Sequence, residues 1–518
     1  MAEAPDTDPV AHRDRGRPGA PGPRPGAGAP REPRPRRARL RELRRRARKR
    51  LRPRTRLRRG LQRVHPLLRL AALAAVRLLL VPRRAPRPGE RLRVRVLLQH
   101  AYGTGGTIRT VLNLSGYLAR DHDVEIVSVF RRRDEPFFTL SPRVRVRFVD
   151  DRRTPPRGVA GRLLSRLPSL LTPIEDASFE SMSLWTDLLL VRVLCGPSPD
   201  VLIGTRPSLN MLAAELAPRG VVAIGQDHMN LSAYMPGLRR EIRRSYPRLA
   251  AVSVLTERSR RDYGDELEGG PARIVRIPNA LPELPGGPSP REDKVIVAAG
   301  RLTRQKGFDL LVRAYEPLAA EHPDWKLRIF GAGPRRNRIK KMIAERGLAG
   351  RVELCGRTPD LAGEMTRASM YVLSSRFEGM PMVIIEAMSK GLPVVAFDCP
   401  TGPGEMIEHG RNGLLVPAED VAGLTAALRT LIGDRALRDR LGEGALAASR
   451  EYDLDRVGPQ WLRLLDELRP APPRPAAGEA RPAPARPPRR RPARRRVLVA
   501  CVLAGLALWV VGLLTADS

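Results

Sequence analysis

Short apolar runs alternating with amphipathic stretches organise the middle of the chain. Arg91–His100 alternates apolar and polar positions as a strand does, and Ala101–Thr107 interrupts it with three glycines. Ile108–Arg120 then spaces its apolar residues as a helix does. Further strands are expected at Val124–Phe130, Val201–Gly204, Val221–Gly225 and Ala251–Leu255. A second run begins with a strand at Lys294–Gly300 and continues through a helix at Phe308–Leu318, a strand at Trp325–Phe330, a helix at Arg336–Arg346 and a strand at Val352–Cys355. It ends with a strand at Ala368–Ser374, a helix start at Val383–Met388 and a strand at Val394–Phe397. Alternation of this kind predicts parallel sheets covered by helices. The Pro- and Gly-rich stretch Pro282–Pro290 reads as a linker, so two domains are expected, at 91–285 and 286–468.

The densest chemistry lies around Glu378 and Glu386, eight residues apart. Gly379 and Pro381 break the chain after the first glutamate, placing it in a loop at the carboxyl end of a strand, while Glu386 falls in the following helix. In an open parallel sheet that edge binds ligands. A helix start offers free N–H groups to a phosphate, and carboxylates accept hydrogen bonds from sugar hydroxyls. Arg301 and Lys306, in Gly300–Gly307, follow a strand and precede a helix at the same edge. There they would stabilise a departing diphosphate.

The E-x7-E stretch, together with the G-R-x(4)-K-G frame at Gly300–Gly307, resembles the retaining glycosyltransferases of family 4, the glycosyl transferases group 1, of actinobacterial type. The resemblance covers about residues 91–468 and is strongest in the second half. It implies an α/β chain of the GT-B fold, two Rossmann-like domains facing across a cleft, and a hexosyltransferase activity. In this family Glu378 would approach the transferred sugar and Glu386 would hold the nucleotide ribose. Arg301 and Lys306 would bind the donor diphosphate, with Gly379, Met380 and Val383 lining the donor site. Gly105 and Gly106 of the first glycine loop would approach a phosphate or the acceptor. Arg357, after a strand, would lie in the loop that meets the base. His228 resembles the histidine of the family's first domain, and Asp227 could orient it. Gln460–Leu468 fits the helix that crosses back onto the first domain. The donor expected is a nucleotide-diphospho-sugar, UDP in preference to GDP, and the acceptor a glycan, a polyol phosphate or a lipid-linked molecule. No cofactor and no metal are expected. The two D-x-D triplets, Asp121–Asp123 and Asp453–Asp455, lie before a strand and beside the closing helix, away from the ligand edge.

Charge and the ends of the chain change the picture. The 518 residues carry a formal charge of +38. Residues 1–90 hold 27 Lys/Arg against 7 Asp/Glu, and 469–496 hold 10 against 1, neither with an aromatic residue. Both are expected to be disordered basic arms. Within the first arm, 66–81 is an apolar stretch carrying Arg69 and Arg77, read as an amphipathic helix lying on a membrane. Residues 497–516 contain no charge and follow six arginines between 489 and 496, which predicts a single transmembrane helix with the catalytic domains on the cytoplasmic side. An anionic membrane surface is therefore an expected partner. Cys195, Cys355, Cys399 and Cys501 are too scattered for a zinc site or a disulfide scaffold. The competing reading of so basic a chain is nucleic-acid binding, which the lack of stacking aromatics in both arms disfavours. A phosphorylase or epimerase of the same fold is the other alternative.

Overall fold

The strands form where β-branched and apolar residues run between glycine-containing breaks, and they assemble into two separate, wholly parallel sheets. The computed structural model describes residues 64–80, 90–156, 158–268, 270, 272–282 and 284–469. The basic segments at 1–63 and 470–496 and the apolar segment 497–516 lie outside these residues. Among the described residues no helix is long and apolar enough to cross a membrane.

The first sheet contains β1 (Arg93–Leu98), β2 (Asp123–Arg131), β3 (Arg145–Asp151), β4 (Val201–Gly204), β5 (Val222–Gln226), β6 (Ala251–Val254) and β7 (Arg273–Arg276) in the order β3-β2-β1-β4-β5-β6-β7. The second contains β8 (Val295–Ala299), β9 (Lys326–Phe330), β10 (Val352–Gly356), β11 (Met370–Leu373), β12 (Val394–Asp398) and β13 (Gly413–Pro417), ordered β10-β9-β8-β11-β12-β13. In each sheet the order reverses beside the first strand, between β1 and β4 and between β8 and β11. Such switch points open a crevice at the carboxyl ends of the strands.

Each sheet has its own apolar core, with Ile126 and Ile203 in the first and Leu327 and Val395 in the second. The last helix, Leu454–Glu467, returns to the first domain, where Val457, Trp461, Leu464 and Leu465 enter its core. Gly458 is required at the crossing, because a Cβ there would stand 2.3 Å from the Tyr117 ring. The outgoing and returning crossovers run side by side, with Leu281 donating to the Tyr452 carbonyl at 3.0 Å and Leu454 donating back to Leu281 at 3.1 Å. Buried Lys390 secures the linker by donating to the carbonyls of Leu284, Pro285 and Gly287.

The stretch expected as an amphipathic helix on a membrane is a helix over 64–77 packed on the first domain, with Arg69 turned inward and Arg77 partly exposed at its end. Arg69 is buried, donates to the Leu171 carbonyl at 2.9 Å and pairs with Glu241 at 2.6 Å. Arg77 pairs with Glu215. A guanidinium fits this interior because its three nitrogens meet the Leu171 carbonyl, the Glu241 carboxylate and the Met211 sulfur.

Candidate active site

The loops after β8 and β11 are locked together at the second domain's switch point. Gly307 adopts φ 61° and starts the helix Phe308–Glu321. A Cβ on it would lie 1.9 Å from the Ser374 carbonyl oxygen, so only glycine lets the β8 loop lie against the end of β11. Arg376 fastens the same two loops, donating to both oxygens of Asp309 at 3.1 and 3.0 Å and to Glu419 at 2.9 Å.

This arrangement brings Lys306 to Glu378. The ammonium meets the Oε1 of Glu378 at 2.5 Å, and Ser375 Oγ donates to the same oxygen at 2.5 Å. The carboxylate is buried and the lysine nearly so. Arg301, on the same loop, is exposed and has no ion-pair partner among the described residues, as is also true of Arg357 after β10. Of these three cations of the second domain, only Lys306 is already engaged.

The opposite wall belongs to the first domain. Gly105, at φ 137°, caps the helix Gly106–Leu118, and a Cβ on Gly106 would touch Met382 at 3.3 Å. Two helix starts thus face each other, since Met382 opens the helix Met382–Ser389. One turn further in, Arg109 of the first helix pairs with Glu386 of the second. Glu386 is fully enclosed, and burial pushes its carboxyl pKa upward while the Arg109 charge pulls it back. Sequence reasoning missed Arg109. The signal available was its position four residues after Gly105 on a helix that opens at the crevice.

His228 follows β5 and comes against the donor loop, its carbonyl oxygen lying where a Cβ of Gly379 would stand 2.0 Å away. Asn230 donates to the carbonyl of Glu378 at 3.0 Å and to that of Pro400 at 3.3 Å. Met380 is buried, and its carbonyl accepts from Asn279 at 3.0 Å. Val383, half-buried in the first turn of its helix, lies one residue beyond Met382. The His228 ring is buried, neither nitrogen has a partner among the described residues, and burial pushes its pKa down to about 4.

Asp227 does not orient that imidazole. Its carboxylate turns the other way and accepts from Tyr234, from Tyr246 at 3.2 Å and from Tyr263 at 2.5 Å. Burial raises its pKa. Three phenols around one carboxylate anchor the chain at the base of the His228 loop. Glu257 stands at the start of the helix Glu257–Glu266, where Glu405 of the second domain accepts from the Glu257 and Arg258 N–H groups at 2.6 and 2.9 Å. Of the D-x-D residues, Asp123 begins β2 and Asp455 pairs with Arg120 at 2.9 Å, both remote from the crevice. Among the described residues no three His, Cys, Asp or Glu side chains converge as metal ligands.

Two Rossmann-like domains meeting across such a crevice define the GT-B fold. Residues 284–447 match the family described as Glycosyl transferases group 1. An exopolysaccharide phosphotransferase of Streptomyces coelicolor is 38% identical over 391 residues, 73% of this chain and 41% of the relative. A poly(glycerol-phosphate) alpha-glucosyltransferase of Bacillus subtilis is 28% identical over 225 residues, 42% of this chain and 33% of the relative. The chain spans well under two thirds of the length of both. Among solved structures, TarM of S. aureus, crystallised with Fondaparinux, alpha-GlcNAc-glycerol and UDP, matches with TM-score 0.59 at 16% identity, over 72% of this chain and all of TarM. HepE of Anabaena with UDP and glucose matches with TM-score 0.55 at 18% identity, over 73% of this chain and all of HepE.

Proposed function

We propose that the chain is a retaining, metal-independent glycosyltransferase. It moves a sugar from a nucleotide-diphospho-sugar, UDP in preference to GDP, to a cell-envelope glycan, polyol phosphate or lipid-linked acceptor. One observation carries the reading: Lys306 and Glu378 meet at the carboxyl ends of adjacent strands β8 and β11, with Arg301 open beside them. The group 1 match over 284–447 and the UDP-bound TarM and HepE folds support it.

In the reaction the bond from the anomeric carbon to the β-phosphate oxygen breaks, and its electrons leave with the diphosphate. Arg301 and Lys306 supply fixed positive charge where that negative charge develops, and the facing helix starts add N–H dipoles. The acceptor hydroxyl oxygen attacks the face the diphosphate is leaving, and its proton passes to the departing phosphate oxygen. Configuration is thereby kept. Glu378, released from Lys306 by the diphosphate, accepts hydrogen bonds from the sugar. Glu386 accepts from the ribose hydroxyls, and neutral His228 faces the donor from the first domain.

The apolar segment 497–516 is proposed to anchor the enzyme with its catalytic domains at the cytoplasmic face, where a lipid-linked acceptor is within reach.

Incubating purified full-length protein with a panel of nucleotide sugars and acceptors tests the reaction, reading the nucleotide product by chromatography and the new linkage by NMR. Nucleoside diphosphate and an unchanged anomeric configuration are expected. Release of nucleoside monophosphate would mean transfer of a sugar phosphate in place of the sugar, and would overturn the reading.

A further inference from the structure

The helix over 64–77 carries apolar side chains on both its buried and its exposed face. A helix on a protein surface ordinarily buries its apolar stripe and turns its charges to water. Here His65 and Arg69 are buried with Leu68, Leu73 and Val76, while Leu67 is 68% exposed and Leu78, just past the helix, 72%. Val64 and Leu70 add to the same exposed set, and Ala71 and Ala74 bring no polar group to it. Apolar side chains therefore run along the outside for about 21 Å, at 1.5 Å per residue over fourteen residues. An exposed contiguous apolar strip of that length marks a contact with something else.

The charge beside the strip indicates what that something is. Where the helix ends, Arg77, Arg244 and Arg248 converge on the single carboxylate of Glu215, Arg248 at 2.8 Å and Arg244 at 3.9 Å. With Arg69 alongside, paired to Glu241 and near Asp187, four guanidiniums face three carboxylates, so positive charge remains in excess. Arg77, Arg244 and Arg248 are each a third to a half exposed. The sequence before the helix has the same sign, since residues 31–63 hold 18 Lys/Arg and two Asp/Glu. Leucines pointing out, bordered by surplus guanidinium charge, match an interface with acyl chains below and anionic phosphates above.

We propose that the outward leucine face of this helix, with the Arg77–Arg244–Arg248 cluster, docks the first domain on a bilayer containing anionic lipid. This contact is separate from the proposed anchor at 497–516, and it rests on neither that anchor nor the transferase reading.

The test is carbene photolabelling of the full chain in phosphatidylcholine vesicles with and without phosphatidylglycerol, using a lipid bearing a photoactivatable acyl chain, followed by peptide mapping. Peptides covering 64–80 should label in the presence of phosphatidylglycerol. The Leu67→Glu/Leu70→Glu/Leu78→Glu variant should lose that labelling while keeping its thermal midpoint and any label at 497–516. Arg248→Gln should leave the leucines in place but weaken the phosphatidylglycerol-dependent labelling about fivefold, as loss of one basic contact does. Absence of label at 64–80, or label unaffected by the triple substitution, would overturn the proposal. So would a concentration-dependent dimer that the triple substitution abolishes, which would make a second copy the occupant. A disulfide formed on mild oxidation between an introduced Leu67→Cys and Cys501 in the absence of lipid would overturn it in favour of the chain's own apolar segment.

Discussion

Removing Arg109 should expose how the crevice tolerates a buried carboxylate. Arg109→Ala leaves Glu386 enclosed on all sides, with no other side chain among the described residues to compensate its charge. Breaking a buried pair by deleting one member costs about 3–5 kcal/mol. Arg109 is itself 22% exposed, so water reaches its end of the pair and about 2–3 kcal/mol is the better figure. For a domain of this size that lowers the thermal midpoint by about 4–12 °C. The loss has a defined pH dependence. Burial already holds the Glu386 pKa above its ordinary value, and removing the arginine raises it further. A group with a raised folded pKa contributes stability that is fully present below its unfolded value and lost as pH rises through the folded one. The variant should therefore approach wild type near pH 4.5 and fall behind as pH climbs towards neutrality. Thermal unfolding by circular dichroism from pH 4.5 to 8 reads this directly. Glu386→Gln in the Arg109→Ala background should restore most of the midpoint without restoring nucleotide affinity. A midpoint equal to wild type at pH 7.5, or a deficit independent of pH, would refute the reasoning.

Lys306→Ala should lower turnover about 10²–10³-fold, the cost of one transition-state charge partner, with activity insensitive to chelators throughout; Arg301→Lys should also slow turnover by replacing a planar fork with a point charge. Glu378→Gln should depress kcat more than donor affinity, since its carboxylate is expected to act at the transferred sugar; an equal loss in donor affinity alone, by calorimetry, would contradict that role. Gly379→Ala should abolish transfer while each domain stays folded, because its Cβ would sit 2.0 Å from the His228 carbonyl oxygen and force the two loops apart. The His228 ring should remain neutral in NMR titrations down to about pH 4, and stability should fall by up to about 3 kcal/mol as pH drops from 6.5 to 4, because only the unfolded chain takes up the proton in that window.

Strands were legible in both domains where apolar runs stand between polar or glycine-containing breaks: all ten expected strands fall within two residues of their limits, while β13 of the second domain was not anticipated. β3 and β7 escaped notice for the opposite reason. Arg145–Asp151 and Arg273–Arg276 are rich in arginine and largely half-exposed edge strands, carrying too little apolar signal to stand out. The helix at 308 includes Pro317 as expected and runs three residues past its expected end at Leu318, to Glu321. Periodicity identified the helix near 66–81 but not which side meets solvent. That is decided by Glu241 and Glu215, more than a hundred residues away along the chain. Likewise the eight-residue spacing of Glu378 and Glu386 announced a site, whereas the pairing of Arg109 with Glu386 crosses from one domain to the other and is seen only with the two in contact.

The two glutamates, so similar in sequence, are neutralised in different ways. Glu378 takes its counter-charge from Lys306, on a neighbouring loop of the same domain, so that pair persists whether or not the domains approach. Glu386 takes its counter-charge from Arg109, across the crevice. On the proposed reading a diphosphate competes with Glu378 for Lys306 without altering the domain arrangement, whereas ribose hydroxyls compete with Arg109 for Glu386 and loosen an interdomain tie. That loosening is limited, because Asn230 still binds the carbonyls of Glu378 and Pro400 and the three tyrosines still hold Asp227 at the base of the same loop. On that reading the donor would exchange charge partners at its ribose end while backbone contacts beside His228 would keep the crevice shut around the sugar. Closure here depends on uncharged hydrogen bonds at the reacting end and on an ion pair at the nucleotide end. Salt should accordingly weaken the nucleotide end more than the sugar end, in proportion to the water that reaches Arg109.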